Sequence, residues 1–352
     1  MEISIVSQRL NTGPWGGNPI RLDYVRLGQS GLKVSRIAIG CMSFGNAQPW
    51  MVEKEGAKRV LDKAIDLGIN FFDTANVYSN GRSEEIVGEL LSGMGEDVVI
   101  ATKVFNPMGD KPNQRGLSRK HIMHQVRESL RRLRRDYIDL YQIHRWDYEA
   151  PIEETLSTLN DLVRRGEVRY IGASSMWAWQ FAKALYISEM RGYEKFVSMQ
   201  NKYNLLYREE EREMIPLCKD QNIAIIPYNP TAIGVLSGRY LKGGKIEIGE
   251  SDIGRLQPKD KLAPIHYKPY VEPPENAEIV RRVLEAAQEK GVKPAMIALA
   301  WLFHKGVTAP IIGTTKPEHV QEAAESLEIK LSDQEAKYLE EPYKPKPVVG
   351  HA

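Results

Sequence analysis

Three apolar, strand-like runs end on ionisable residues whose types suit proton transfer. Asp73 closes GINFFD, Lys103 closes VVIATK and His144 closes IDLYQIH, with Tyr78 in the loop just beyond Asp73. A lysine at a strand tip is costly to bury without a counter-charge, and Asp73 is the natural partner. A tyrosine beside that ammonium has its phenolate stabilised, which draws its acidity below the free value of about 10. Carbonyl reduction needs such a general acid, and His144 can donate a hydrogen bond to the same oxygen and polarise it. Each piece has a plainer reading: an ion pair, a loop cap, a satisfied polar side chain. Their coincidence at three successive strand tips favours chemistry.

The elements that position these residues follow from periodicity. Between residues 68 and 91, Ile69, Phe71 and Phe72 favour a strand, Asn80-Gly81 a turn, and Ile86, Val87, Leu90 and Leu91 the apolar face of a helix. Strand patterns recur at 36–40, 70–73, 98–103, 138–144, 168–173, 197–201, 224–228 and 309–312. Helical patterns fall at 53–67, 82–91, 119–133, 152–165, 179–191, 208–221, 276–290, 294–303 and 317–326. Eight strands separated by helices is the count of an α/β (β/α)8 TIM barrel. In such a barrel the strand tips become neighbours, so the four ionisable groups converge at the C-terminal face. An open doubly wound sheet is disfavoured, because no G-x-G-x-x-G follows any strand and no composition shift marks a second domain. Runs flanking Gly28-Gln29-Ser30-Gly31 predict an N-terminal β-hairpin. Residues 1–22 read as an irregular arm, 23–352 as one barrel domain, and 242–274 as a long loop over its mouth.

With 48 basic and 46 acidic side chains, charge gives no reason to expect nucleic acid or an anionic membrane as partner. The two cysteines, Cys41 and Cys218, show no metal or redox spacing and argue for a reducing interior. No apolar run is long enough for a membrane span, and the first residues do not resemble a secretory signal. The cytoplasm is the expected location. His121 and His124 lie one helical turn apart but lack a carboxylate partner, so a solvated face is expected there, not a metal pair. The run RRLRR at 131–135 closes a helix, where cations offset the C-terminal dipole.

The chain resembles the aldo-keto reductases over about residues 24–331. The motifs that carry the resemblance are YVRLGQSGLKVSRIAIGCMSFG, FFDTANVYSNGRSEEIVGELL, IATK, DLYQIHRWDYEAPIEET, GEVRYIGASS, MQNKYNLL, PYNPTAIGVLSGRY and PIIGTTKPEHV, in that order. The resemblance implies a TIM barrel that binds NADP(H) without a Rossmann motif, with Asp73, Tyr78, Lys103 and His144 as the catalytic tetrad. It also implies cofactor contacts: Asp73, and Gly40 and Met42 beside the nicotinamide ribose. Ser174 and Gln200 would hold the carboxamide and Tyr228 would stack on the ring. Pro230, Leu236, Gly238 and Arg239 would wrap the pyrophosphate, and Gly313, Thr315, Lys316 and Glu322 would take the adenosine end. Three positions depart from the family pattern: Ser175 where many relatives have Asn, Ala323 where they carry Asn, and His319 where Arg or Gln is frequent.

Trp146, Trp177 and Trp179 follow strands four and five, and Phe44 and Trp50 follow strand one. Such a rim suits a flat, apolar or aromatic carbonyl substrate, with Phe44, Tyr78, His144, Trp146 and Trp177 as the substrate contacts. Two function classes follow from the resemblance. One is a carbonyl reductase using NADP(H); the other is a nucleotide-sensing regulatory subunit of the kind found with potassium channels. The complete tetrad favours the reductase, and the sequence leaves oligomeric state open.

Overall fold

The computed structural model describes residues 22–249, 252, 256–257 and 264–351. The expected arm at 1–22 therefore lies outside the described residues except for Leu22, and so does part of the 242–274 loop.

Chain direction reverses first at the expected hairpin, β1 (Tyr24–Arg26) against β2 (Lys33–Ser35). Gly28 at its turn has φ +61, and a Cβ there would sit 2.5 Å from the Val197 carbonyl oxygen. Only glycine both accepts that backbone angle and lets the turn press against the barrel floor. Asn70 staples the hairpin on, accepting from the Ser35 N–H at 2.7 Å and donating to the Lys33 carbonyl at 3.2 Å.

The barrel strands are β3 (Ala38–Gly40), β4 (Phe71–Asp73), β5 (Val99–Val104), β6 (Ile138–Ile143), β7 (Val168–Ser174), β8 (Ser198–Gln200) and β9 (Ala224–Ile225). A short hairpin, β10 (Leu241–Lys242) and β11 (Lys245–Ile246), intervenes before the eighth, β12 (Ile311–Gly313). All eight run parallel in the order β12-β3-β4-β5-β6-β7-β8-β9. The ring closes where the Thr308 and Ile311 N–H groups donate to the Ile225 and Pro227 carbonyls, each at 2.9 Å. This is the expected TIM barrel.

Helices α1 (Lys54–Asp66), α2 (Arg82–Leu91), α3 (Arg119–Leu133), α4 (Ile152–Arg164), α5 (Ala178–Arg191) and α6 (Met214–Asp220) alternate with the strands. They are followed by α7 (Tyr267–Val271), α8 (Glu275–Lys290), α9 (Pro294–His304), α10 (Pro317–Glu325) and α11 (Asp333–Glu340). The helix expected at 208–221 is instead a 3-10 turn, Glu209–Glu211, followed by α6, with Glu213 at φ −141 between them. Distant groups claim the acidic turn: Tyr343 and the Lys346 N–H bind Glu209, and His351 binds Glu210. Helix α11, with its Ser332/Glu335 capping box, and the tail that follows it were not foreseen.

Two apolar layers result. Ala38, Phe71, Val99, Ala101, Leu140, Val197, Ala224, Ala309 and Ile311 fill the barrel, floored by Leu27 and Val34 of the hairpin. The larger layer, including Phe72, Ile100, Ile143 and Trp301, lies between strands and helices. Among the described residues, no helix is long and apolar enough to cross a membrane.

Candidate active site

Strand side chains alternate between faces, so the positions that fill the barrel continue toward its mouth as Asp73 after Phe71, Lys103 after Ala101 and Gln142 after Leu140. Strand register holds them side by side: Gly313 pairs Gly40, Gly40 pairs Asp73, Lys103 pairs Gln142, and Ser174 pairs Gln200. At the mouth the apolar fill gives way to one polar cluster.

The Lys103 ammonium, wholly buried, donates to Asp73 Oδ1 at 2.5 Å, to the Thr74 carbonyl at 2.7 Å and to the Tyr78 hydroxyl at 3.3 Å. Burial alone would lower its pKa; Asp73 and Tyr78 outweigh burial and hold it above the ordinary lysine value, so it stays charged. The other Asp73 oxygen, Oδ2, accepts from both Gln142 Nε2 and Gln200 Nε2 at 2.9 Å. These bonds aim the carboxylate at the lysine and leave it no freedom to rotate. Gln142 is a site residue the sequence reading missed; its signal was the strand alternation that places it two residues before His144.

Tyr78 reaches this cluster from a loop with φ 48 at Ser79 and 53 at Asn80, both left-handed for non-glycine residues. Ser79 Oγ donates to the Phe44 carbonyl at 3.4 Å. The His144 and Tyr78 rings meet in a T-shaped arrangement with centroids 5.8 Å apart. Burial, then the cations Arg145 and Lys103, push the His144 pKa well below its ordinary value, so its imidazole is neutral. The tetrad residues named from sequence are thus brought together.

Along the expected cofactor path, Gly40 is wedged where a Cβ would lie 2.8 Å from Ile311 Cγ2. Met42 follows in a 3-10 turn, Cys41–Ser43. Ser174 Oγ donates to the Gln200 carbonyl at 2.7 Å, and Ser175, left-handed at φ 42, donates to the Tyr228 hydroxyl at 3.4 Å. A groove then runs past Ser43, Trp50, Arg239, Gly313, Thr314, Thr315 and His319. Thr314 anchors its far wall, bonding the Lys316 N–H and His319 Nδ1 at 3.0 Å each. Lys316 is exposed at the N-cap of α10, and neither it nor Arg239 forms an ion pair among the described residues.

Other residues named from the sequence take the following positions. Leu236 is fully buried in the outer core, Pro230 is buried, and Gly238 packs against Leu284. Glu322 pairs with Lys293 at 2.5 Å, and Ala323 is buried under α10. Phe44 is wholly buried, so it backs the Tyr78 loop from within the core and does not stand on the rim. Trp50 lines the groove beside Arg239. Trp146 is nearly buried and packs on exposed Trp179 with centroids at 6.2 Å, and Trp177 meets His351 of the tail at 4.9 Å. His121 is buried, not solvated, whereas His124 is exposed. No group of metal-binding side chains occurs among the described residues. Each arginine of RRLRR has an acidic neighbour; Arg132 joins buried Glu84 at 2.6 Å.

Comparison with known proteins agrees with this geometry. The sequence profile of the Aldo/keto reductase family matches residues 36–344. A Saccharomyces cerevisiae protein carrying an aryl-alcohol dehydrogenase name is 43% identical over 344 residues, covering 91% of this chain and 97% of the relative. The versiconal hemiacetal acetate reductase of Aspergillus parasiticus is 39% identical over 353 residues, covering 93% of this chain and 98% of the relative. An aldo-keto reductase of Metarhizium robertsii is 42% identical over 361 residues, covering 94% of each chain. With barrel, polar cluster and sequence in accord, this chain belongs to the aldo/keto reductase family.

Proposed function

We propose that this protein reduces aldehydes or ketones to alcohols with NADPH, and that Tyr78 is the proton donor. The observation that carries this reading is the buried Lys103 ammonium, bonded at once to Asp73 and to the Tyr78 hydroxyl. When the substrate oxygen gains negative charge, Tyr78 gives up its proton to it. The phenolate left behind faces a fixed, buried cation, whose stabilisation costs no reorganisation. Asp73 keeps the lysine charged, and Gln142 and Gln200 keep Asp73 in place. His144, neutral, adds a second hydrogen-bond donor to the same oxygen.

The groove residues fit a phosphorylated dinucleotide. Arg239 and Lys316 offer cations without ion-pair partners among the described residues, Thr315 a hydroxyl, and the start of α10 a favourable dipole. Lys316 would read the 2′-phosphate, Arg239 the pyrophosphate, and Ser174, Gln200 and Tyr228 would hold the nicotinamide end. Bound there, the nicotinamide supplies the hydride. Trp146 and Trp177, on the loops after β6 and β7, favour a flat, aromatic carbonyl, in keeping with the aryl-alcohol dehydrogenase name of one relative. The test is NADPH consumption with a panel of aliphatic and aryl aldehydes and ketones. Turnover should be highest with aryl aldehydes; tight nucleotide binding without turnover on any carbonyl would overturn the reading in favour of a sensor.

A further inference from the structure

One hydrogen bond at the reaction centre lies outside the tetrad. Asn106 stands just past β5, and its Nδ2 lies 3.0 Å from Nδ1 of His144, the residue just past β6. The two strand ends are tied at this point, since the His144 N–H donates to the Val104 carbonyl at 3.0 Å. An amide nitrogen carries no lone pair to offer, so contact through Nδ2 means that Asn106 donates and Nδ1 accepts. A neutral imidazole holds a single proton, which must then sit on Nε2.

We propose that Asn106 is a positioning residue that fixes His144 as the Nε2–H tautomer, so that the ring presents a donor to the substrate carbonyl. The inference rests on the carbonyl-reduction reading above. With the other tautomer His144 would turn a lone pair toward an oxygen that is gaining negative charge, and would oppose the reaction. The groups around the ring agree with a neutral imidazole: Lys103 from β5 and Arg145 just past β6 are cations, and the Tyr78 ring packs T-shaped against it. His144 is buried, and Asn106 is the partner of its Nδ1.

The test is ¹⁵N NMR of the full chain labelled at histidine, with His144→Gln to assign the signal. Wild type should show Nε2 protonated and Nδ1 bare through the neutral range. In Asn106→Asp the carboxylate demands a proton on Nδ1. The signal should then move to the Nδ1–H or doubly protonated form, and kcat for an aldehyde should fall about 10²-fold, the scale of losing one donor. Cofactor affinity should hold. Asn106→Ser, which keeps a donor, should restore much of the wild-type spectrum and rate, and it stands in should the aspartate variant not fold. A wild-type signal from the Nδ1–H form, or an unchanged tautomer and kcat in Asn106→Asp, would overturn the inference. Absence of carbonyl turnover by wild type would instead sink the reductase reading, and the spectrum would still decide the tautomer.

Discussion

Lys103 and Asp73 lie 2.5 Å apart with side chains 0% and 3% exposed, on adjacent strands of a closed barrel. Neither charge has water to fall back on. Removing one partner leaves the other buried alone, which costs about 3–5 kcal/mol.

Lys103→Met and Asp73→Asn should therefore each lower stability and carbonyl turnover, and the double variant should cost much less than the sum. Strict additivity of the two changes in unfolding and in kcat/KM would show that the pair does not work as a unit.

Tyr78→Phe removes only the hydroxyl at 3.3 Å from Lys103. Turnover should drop about 10²–10⁴-fold, the range of general acid catalysis, with NADPH affinity retained because the lost interaction belongs to the transition state. Near-normal kcat for an aldehyde in this variant would end the assignment of Tyr78 as proton donor.

If Lys316, exposed at the start of α10, reads the 2′-phosphate as proposed, it distinguishes NADPH from NADH. One charge-assisted contact to the 2′-phosphate is worth about tenfold, or about 1.4 kcal/mol. Lys316→Ala should narrow the ratio of kcat/KM for the two cofactors, and salt should weaken the wild-type preference by screening. An unchanged ratio at both low and high salt would show that this residue does not read the phosphate.

Lys202 gives a pH dependence whose sign is fixed. Its ammonium is buried against Tyr207 and Tyr270 and donates to the Ile265 carbonyl. Burial and then Arg145 lower its pKa from 10.5 to about 7, against a smaller opposing pull from Glu210. Between those values the unfolded chain holds a proton that the folded chain has released. Stability at this site thus rises with pH across that window, by up to about 1.4 kcal/mol per unit, and the full penalty stands below it. Lys202→Met should flatten the slope and raise the urea midpoint at neutral pH. A denaturation midpoint that changes no more between pH 7 and pH 10 in wild type than in Lys202→Met would refute the assignment.

Strand alternation and helical periodicity are local properties, and they were enough to place Asp73, Lys103 and His144 at strand tips. Eight alternating units then imply a closed barrel, because a parallel strand with both faces covered needs its neighbours and a helix. Asp73, Lys103 and His144, with Tyr78 in the loop beyond, could be named on that basis without coordinates. What the sequence could not supply were partners set by the three-dimensional meeting of distant segments. Gln142 and Gln200 converge on Asp73 Oδ2 only through strand register, and Asn106 meets His144 only because two loop ends are tied. The helix expected at 208–221 breaks for the same reason, since its first turn is claimed by residues 343–351, more than a hundred positions away. Trp50 and Trp146 look alike in sequence, yet loop paths send one to the groove beside Arg239 and the other against Trp179. Local propensity decides which elements form; hydrogen bonds and burial between elements decide which of their side chains share a site.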